Sequence, residues 1–501
     1  MEKPADLFDR NREWRALDEF VRSAGAGLRL AVVYGRRRQG KSHLLRRLVE
    51  AGGGLYVMPL EEARTPALQR FSDLVAGTVM GLPPGGIRFD AWDVALRTTM
   101  SALAQRAGRG TPPTLVIDEL PYLLAHSPEI PSVLQALHDE SRHERGAPPV
   151  RIIVCGSALS IMTDLLSGSR ALRGRALVDL CLKPFTYRRA ASFWGIEDPE
   201  LAVQVHAIFG GTPGYRDLVT DPPPKRTGGL EGWLAKHVLS PTHVLFREAD
   251  YLLREDPRVT DRALYYSILT AIAAGGTTPT GVGAAVGRPA QSLAYPLSVL
   301  ESAGFVDRVD DVLLQRRPRL LLADPIIRFH QLVTAPRVAM LEEGHAADAW
   351  RSAAETFASN ILGPHFEHLA RAWVVLHGRD EGLRERAGVV GPTVVNDPAG
   401  RTRHEIDVVG LAEGQAPRSR HPRVVLLGEA KHSARRLTMF NLDRLDRLRS
   451  LLAGRGVDAS GAQLALFTRS GVDAHLARAA ARRDDVVLVD VPRLYGHPRK
   501  P

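Results

Sequence analysis

Residues 28–42 constrain this chain more than any other stretch. The apolar run Leu28–Tyr34 (LRLAVVY) reads as a buried parallel strand, and it leads straight into Gly35-Arg36-Arg37-Arg38-Gln39-Gly40-Lys41-Ser42. That octet satisfies G-x-x-x-x-G-K-[ST] without a mismatch. Leu44, Leu45, Leu48 and Val49 then recur at helical spacing. Gly35 and Gly40 let the main chain wrap a phosphate with its N–H groups turned inward. Lys41 can reach β- and γ-phosphates, Ser42 can coordinate Mg²⁺, and the start of the helix adds its dipole.

A second strand completes the expected site. Thr114–Ile117 (TLVI) is an apolar run that ends in Asp118-Glu119. Asp118 can hold the Mg²⁺ shell, and Glu119 can orient the water that attacks a γ-phosphate. An adjacent acid suits ATP hydrolysis better than a GTP switch, and no N/T-K-x-D guanine signature is present. A third core run, Arg151–Gly156, is followed by Ser157. Ser157 is either a γ-phosphate sensor or the N-cap of a helix over 160–166. Arg173 and Arg175 can neutralise transition-state charge, in cis or from a neighbouring subunit, or they are solvated surface arginines.

With 501 residues the chain is too long for one core, and two or three domains are expected. The boundaries read as 1–220 for the P-loop core and the start of a helical lid, 221–340 for the rest of the lid and a helix-turn-helix module, and 341–501 for a last α/β domain. No run approaches ~18 uninterrupted apolar residues, so no membrane helix is expected. The first twenty residues carry acids and no apolar core of a signal peptide. The two cysteines, Cys155 and Cys181, lie in apolar runs and fit a reducing, cytoplasmic setting. A net charge of +10 permits nucleic-acid binding, although the abundance of Arg, Ala, Gly and Pro also fits composition bias. Within that bias lysine is scarce, seven residues against 59 arginines, and two of the seven are Lys41 and Lys431. A lysine there suggests a need for a compact ammonium.

The set FDRNRE (8–13), YGRRRQGKS (34–42), LVIDELPYL (115–123), CGSALSIM (155–162), RGRA (173–176), LKPF (182–185) and GGTPGY (210–215) resembles the archaeal-type ATPases of the AAA+/STAND division. The resemblance covers most of 6–335 and, more loosely, the C-terminal third. It implies that Phe8–Glu13 lies near the adenine, that Ser157 is the sensor, and that Thr212-Pro213 belongs to a lid motif.

From Asp261 the pattern is helix, turn, short helix, turn and helix, followed by two strand-like runs, FVDRV and VLLQR. That order is expected to form a winged helix-turn-helix. Gln291, Ser292 and Tyr295 would begin its recognition helix, with Arg288, Arg308, Arg316, Arg317 and Arg319 around it. The module either reads DNA or packs against the ATPase core and transmits its nucleotide state.

The last third runs helix, three strands, helix, strand. Asp407 falls on one strand and Glu429-x-Lys431 on the next. This arrangement resembles the PD-(D/E)xK nucleases, an α/β restriction-endonuclease-like fold. Asp407, Glu429 and the Ala430 carbonyl can hold Mg²⁺ through hard oxygen ligands. Lys431 can position the attacking water, and Glu367, on the helix before the strands, can add a carboxylate. Ile406 stands where the superfamily has proline, and the helix over 438–453 offers no clear glutamine. Two functions follow. One is ATP-driven action on DNA, with the nucleotide state controlling a nuclease or nuclease-like domain. The other is a STAND-type signalling or defence switch whose last domain binds without cutting. A homo-oligomer is compatible with either.

Overall fold

The computed structural model describes residues 1–107, 111–144, 147, 149–168, 170–254, 256, 258–315, 318–397 and 400–497. Two compact units emerge. The first contains 1–184 with the short segments 212–215 and 254–258, and the second contains the rest. After Pro184 the chain runs in the second unit and returns to the first only at 212–215 and 254–258.

The first unit is a parallel sheet of β1 (Leu28–Tyr34), β2 (Gly54–Val57), β3 (Thr114–Ile117), β4 (Val150–Gly156) and β5 (Ala176–Cys181), in the order β2-β3-β4-β1-β5. Every residue of β3 and β4 is buried, as apolar runs covered on both faces require. Two apolar layers flank the sheet. One contains Leu30, Val32, Phe71, Trp92 and Leu134, and the other contains Ala31, Val33, Leu17, Leu44 and Leu48. The helix Lys41–Gly52 buries Leu44, Leu45 and Leu48, each contributing about 2 kcal/mol, and so pins the loop that precedes it to the sheet.

In the second unit, the helices Arg262–Ala273, Pro279–Val286 and Ala294–Ser302 are followed by antiparallel β6 (Val306–Val309) and β7 (Arg319–Leu322). Two details depart from the expected pattern. The third helix begins as a 3₁₀ turn at Ala290–Leu293, and Pro296 sits in the first turn of the α-helix, where its missing N–H costs no bond. The second strand is Arg319–Leu322 and not VLLQR. Asp311 accepts from Leu313 N, Leu314 N, Thr393 Oγ1 and Val394 N, while Val312 N donates to Pro392 O. Those bonds commit 311–314 to a turn against the last sheet, and Val312 is buried in that sheet's core.

The last sheet has the order β12-β11-β10-β9-β8, with β8 (Ala387–Asp397), β9 (Thr402–Ala412), β10 (Val424–Lys431), β11 (Gln463–Thr468) and β12 (Val486–Asp490). β8, β9 and β10 pair antiparallel, and β10, β11 and β12 pair parallel. Leu442, Leu445, Leu448 and Leu452 of the helix Met439–Ala453 fill the core on one side. The helix Gly363–Leu376 buries Phe366, Leu369, Ala370, Trp373 and Val374. Beside it His206 Nδ1 lies 2.9 Å from His365 Nε2, and burial pushes the His206 imidazole down to about 3 and His365 well below its usual range. His432, after β10, has a 1% exposed side chain, and burial pushes it to about 4. No helix among the described residues is long and apolar enough to cross a membrane.

Candidate functional sites

The loop after β1 is shaped by backbone that few residues tolerate. Gly40 has φ +84, and a Cβ on Gly35 would stand 2.6 Å from Leu182 O. Six non-glycine residues among those described have positive φ, and four of them, Asp9, Arg10, Arg38 and Glu119, belong to the loop or to the segments beside it. Such strain persists only where the surroundings fix it, and it gathers at working sites. The Lys41 ammonium is 5% exposed and donates to Gly35 O at 2.8 Å and Arg36 O at 3.1 Å.

Asp118 closes β3 fully buried. Burial alone would raise its carboxyl, but hydrogen bonds from Ser42, Tyr56, Cys155 and the Glu119 N–H outweigh it and hold the group below its ordinary value. Ser42 thus helps hold the Asp118 carboxylate ionised, and a hydroxyl and a carboxylate are the hard oxygen pair that fits Mg²⁺. Glu119 accepts from Ser157 N at 3.1 Å and Ser157 Oγ at 2.9 Å. The N-cap reading of Ser157 fails for that reason. The helix begins at Leu159 with Ala158 as its N-cap and no side-chain cap bond, because the serine hydroxyl is already committed to Glu119.

Two segments remote in sequence finish the loop. Gln39 Nε2 donates to Thr212 Oγ1 at 3.1 Å, Gly214 N donates to Arg38 O at 2.9 Å, and the Arg38 guanidinium lies 5.9 Å from the Tyr215 ring centre. Arg10, 6% exposed, donates to Gln39 O at 3.0 Å and Lys183 O at 2.8 Å. Arg10 belongs to the FDRNRE stretch, whereas Tyr56 lies on β2 outside every motif.

Arg175 lies apart from the loop. It precedes β5, whose Ala176 pairs with Leu30 near the start of β1, whereas the glycine loop follows the other end of β1. Four residues of strand, about 13 Å, separate the two. Arg175 forms a two-pronged pair with Asp139 at 2.9 and 2.7 Å. Arg173 Nη1 donates to Gly168 O at 2.6 Å.

The last sheet gathers the second set. The antiparallel register Gly428↔Val408, carried one step on, sets Glu429 opposite Asp407, and the period of two puts Lys431 on the same face. Lys431 Nζ lies 3.3 Å from Asp407 Oδ2 and 3.7 Å from Glu429 Oε1, and Ala430 N donates to Asp407 Oδ2 at 3.0 Å. Asp407 and Glu429 are 7% and 4% exposed. Burial would lower the Lys431 ammonium, yet the Asp407 and Glu429 charges raise it overall. Burial, then the Asp407 charge, pushes the Glu367 carboxyl up to about 7.

Three residues absent from the sequence reading complete this cluster. Arg371 Nη1 donates to Asp407 O at 2.9 Å and lies 3.8 Å from Glu367 Oε2. Arg444 Nη1 donates to Glu429 Oε2 at 2.9 Å and its Nη2 to Glu405 O at 2.7 Å. Asn441 Nδ2 reaches Glu429 Oε1 at 3.4 Å, the polar contact from the helix that was sought as a glutamine. Among the described residues no group of three or more His, Cys, Asp or Glu is placed to hold a metal. Asp407, Glu429 and the Ala430 carbonyl remain a two-carboxylate donor set of the hard kind. Around the three-helix segment the arginines are paired: Arg288 with Asp261, Arg308 with Glu301, Arg319 with Glu405. Arg316 and Arg317 lie outside the described residues.

The parallel sheet, the glycine loop and the Ser42–Asp118 pair define a P-loop ATPase domain. Residues 7–215 match the family model of an ATPase domain predominantly from Archaea. An uncharacterized protein of Methanocaldococcus jannaschii is 24% identical over 340 residues, 67% of this chain and 70% of that one. Among solved structures, the Walker-type ATPase PABY2304 of Pyrococcus abyssi is similar at 20% identity and a TM-score of 0.49, over 66% of this chain and 97% of that one. The ORC2 protein of Aeropyrum pernix is similar at 14% identity and a TM-score of 0.40, over 70% and 97%.

Proposed function

We propose that the chain binds and hydrolyses ATP at the glycine loop and that its nucleotide state controls a PD-(D/E)xK nuclease-like domain acting on DNA. The glycine loop with Lys41 buried in it, next to the fully buried Asp118 that ends β3, carries the first half of this reading. The loop amides and Lys41 bind the β- and γ-phosphates, and Ser42 and Asp118 would hold a Mg²⁺, which would supply charge neutralisation there. Glu119 orients the attacking water, and Ser157, bonded to that carboxylate, senses whether the γ-phosphate is present. Arg175 and Arg173 act on the site of a neighbouring copy.

The juxtaposition of Asp407, Glu429 and Lys431 on one sheet face supports the second half. Asp407, Glu429 and the Ala430 carbonyl would hold Mg²⁺, which supplies charge stabilisation at the scissile phosphate. Lys431 positions the water, and Glu367, poised near pH 7, serves as a further carboxylate. The three helices with β6 and β7 act as a winged helix that packs and transmits, a role favoured by the pairing of its arginines. The test is cleavage of plasmid and linear DNA with Mg²⁺ or Mn²⁺, with and without ATP, by the parent and by Lys431→Ala. Cleavage lost in the variant and dependent on ATP is the expected result.

One observation favours the second reading, a nucleotide-dependent switch. Lys431 and Arg444 already neutralise Asp407 and Glu429, an arrangement that is self-sufficient as an ion-pair network. Intact ATP hydrolysis with no cleavage under any condition would establish it.

A further inference from the structure

The helix Met439–Ala453 buries its leucines and leaves Phe440 74% exposed, the most exposed large apolar side chain among the described residues. Phe440, Arg444 and Arg447 stand at i, i+4 and i+7 and share one face of that helix. Asn441 and Arg444 reach Glu429, and Arg447 Nη2 lies 3.4 Å from His404 Nε2, so this face runs along the carboxylate cluster. The loop entering the helix adds Arg435 and Arg436, both exposed and neither ion-paired with a described residue. Of the two acids on the helix, Asp446 is held by Arg449 and Arg483, which leaves Asp443 against three arginines.

We propose that this face binds a single strand of nucleic acid, with a base stacked on Phe440 and phosphates on Arg435, Arg436 and Arg447. The inference rests on the nuclease-like reading of the cluster and names the form of its substrate. The chemistry follows from the residue types. Guanidinium groups beside a solvent-facing aromatic match the alternating charge and π-surface of a polynucleotide strand. A base presents its flat face to such a ring only when it is unstacked, in a single strand or a frayed end. Asn441 is next to Phe440 in sequence, so a strand held there passes Glu429 and Lys431.

Fluorescence anisotropy of the full chain with a labelled single-stranded oligonucleotide and with the matching duplex, across a salt series, tests this. Phe440→Ala should weaken single-strand binding about tenfold and leave the salt slope unchanged. The Arg435→Ala, Arg436→Ala double variant should instead lower that slope by about one. Phe440→Tyr should bind like the parent. Equal single-strand affinity of the parent and Phe440→Ala would overturn the proposal. So would a parent dimer that Phe440→Ala converts to monomer without any oligonucleotide affinity, because the face would then belong to a second copy. If single-strand binding depends on Phe440 but Lys431→Ala changes no cleavage, the nuclease reading fails while the strand-binding face stands.

Discussion

In the ATPase domain, the groups proposed to meet a phosphate come from eight consecutive residues, and their geometry is set by backbone. In the last domain, the comparable groups are side chains drawn from two strands and two helices, from Glu367 to Arg444. The first site is fixed by conformations at Gly40 and Arg38 that most residues would resist. The second is fixed by balance, with Arg371, Lys431 and Arg444 set against Glu367, Asp407 and Glu429. A backbone cradle has one use. A balanced cluster of side chains serves as a metal site when ligands are free, or as a structural network when they are paired.

The sharpest way to break this contrast is at Lys41. Lys41→Ala should reduce phosphate release from ATP by about two to three orders of magnitude, as for loss of a preorganised charge at a transition state. Turnover within tenfold of the parent would remove the loop from the chemistry. Glu119→Gln should keep nucleotide binding and lower hydrolysis by about 10²-fold or more, read by ATP binding and phosphate release on one preparation. Hydrolysis at the parental rate would mean that Glu119 does not orient the water.

Acid should separate the two regions. His206, His365 and His432 are neutral in the folded second unit, whereas an unfolded chain protonates them below about 6.5. Their lowered values give stability that is fully present above about 6.5 and lost as pH falls toward the folded values. The urea midpoint should therefore drop between pH 7.5 and pH 5, by up to about 1.4 kcal/mol per pH unit for each fully neutral histidine. His365→Gln should lessen that drop, and an unchanged pH profile would show that these histidines are protonated in the fold. The smallest effect is expected at Tyr56→Phe, which removes a hydrogen bond to Asp118 and should cost about 1 kcal/mol in urea unfolding. A neutral substitution there would place the restraint on Asp118 in Ser42 and the Glu119 N–H.

The second strand expected at VLLQR shows where local reading stops. Its apolar run suits a strand, yet Asp311 and Val312 find stronger partners in Thr393, Val394 and Pro392, and the pairing passes to Arg319–Leu322. Ser157 shows the same limit. Its position before a helix suited an N-cap, but Glu119, 38 residues away in sequence, takes the hydroxyl.

The sequence by itself determined the glycine loop, the strand ending in Asp118-Glu119, the apolar faces of the main helices, and the placing of Asp407, Glu429 and Lys431 on neighbouring strands. Each depends on short-range spacing: the reach of a loop, the period of a helix, the alternation of a strand. Only the tertiary structure decided that Tyr56 and Ser42 hold Asp118, that Arg175 faces Asp139 away from the loop, and that Arg371, Asn441 and Arg444 close on the carboxylates. Those pairings are made by long side chains meeting across elements, and their partners are chosen by strand order and register, which no local pattern encodes.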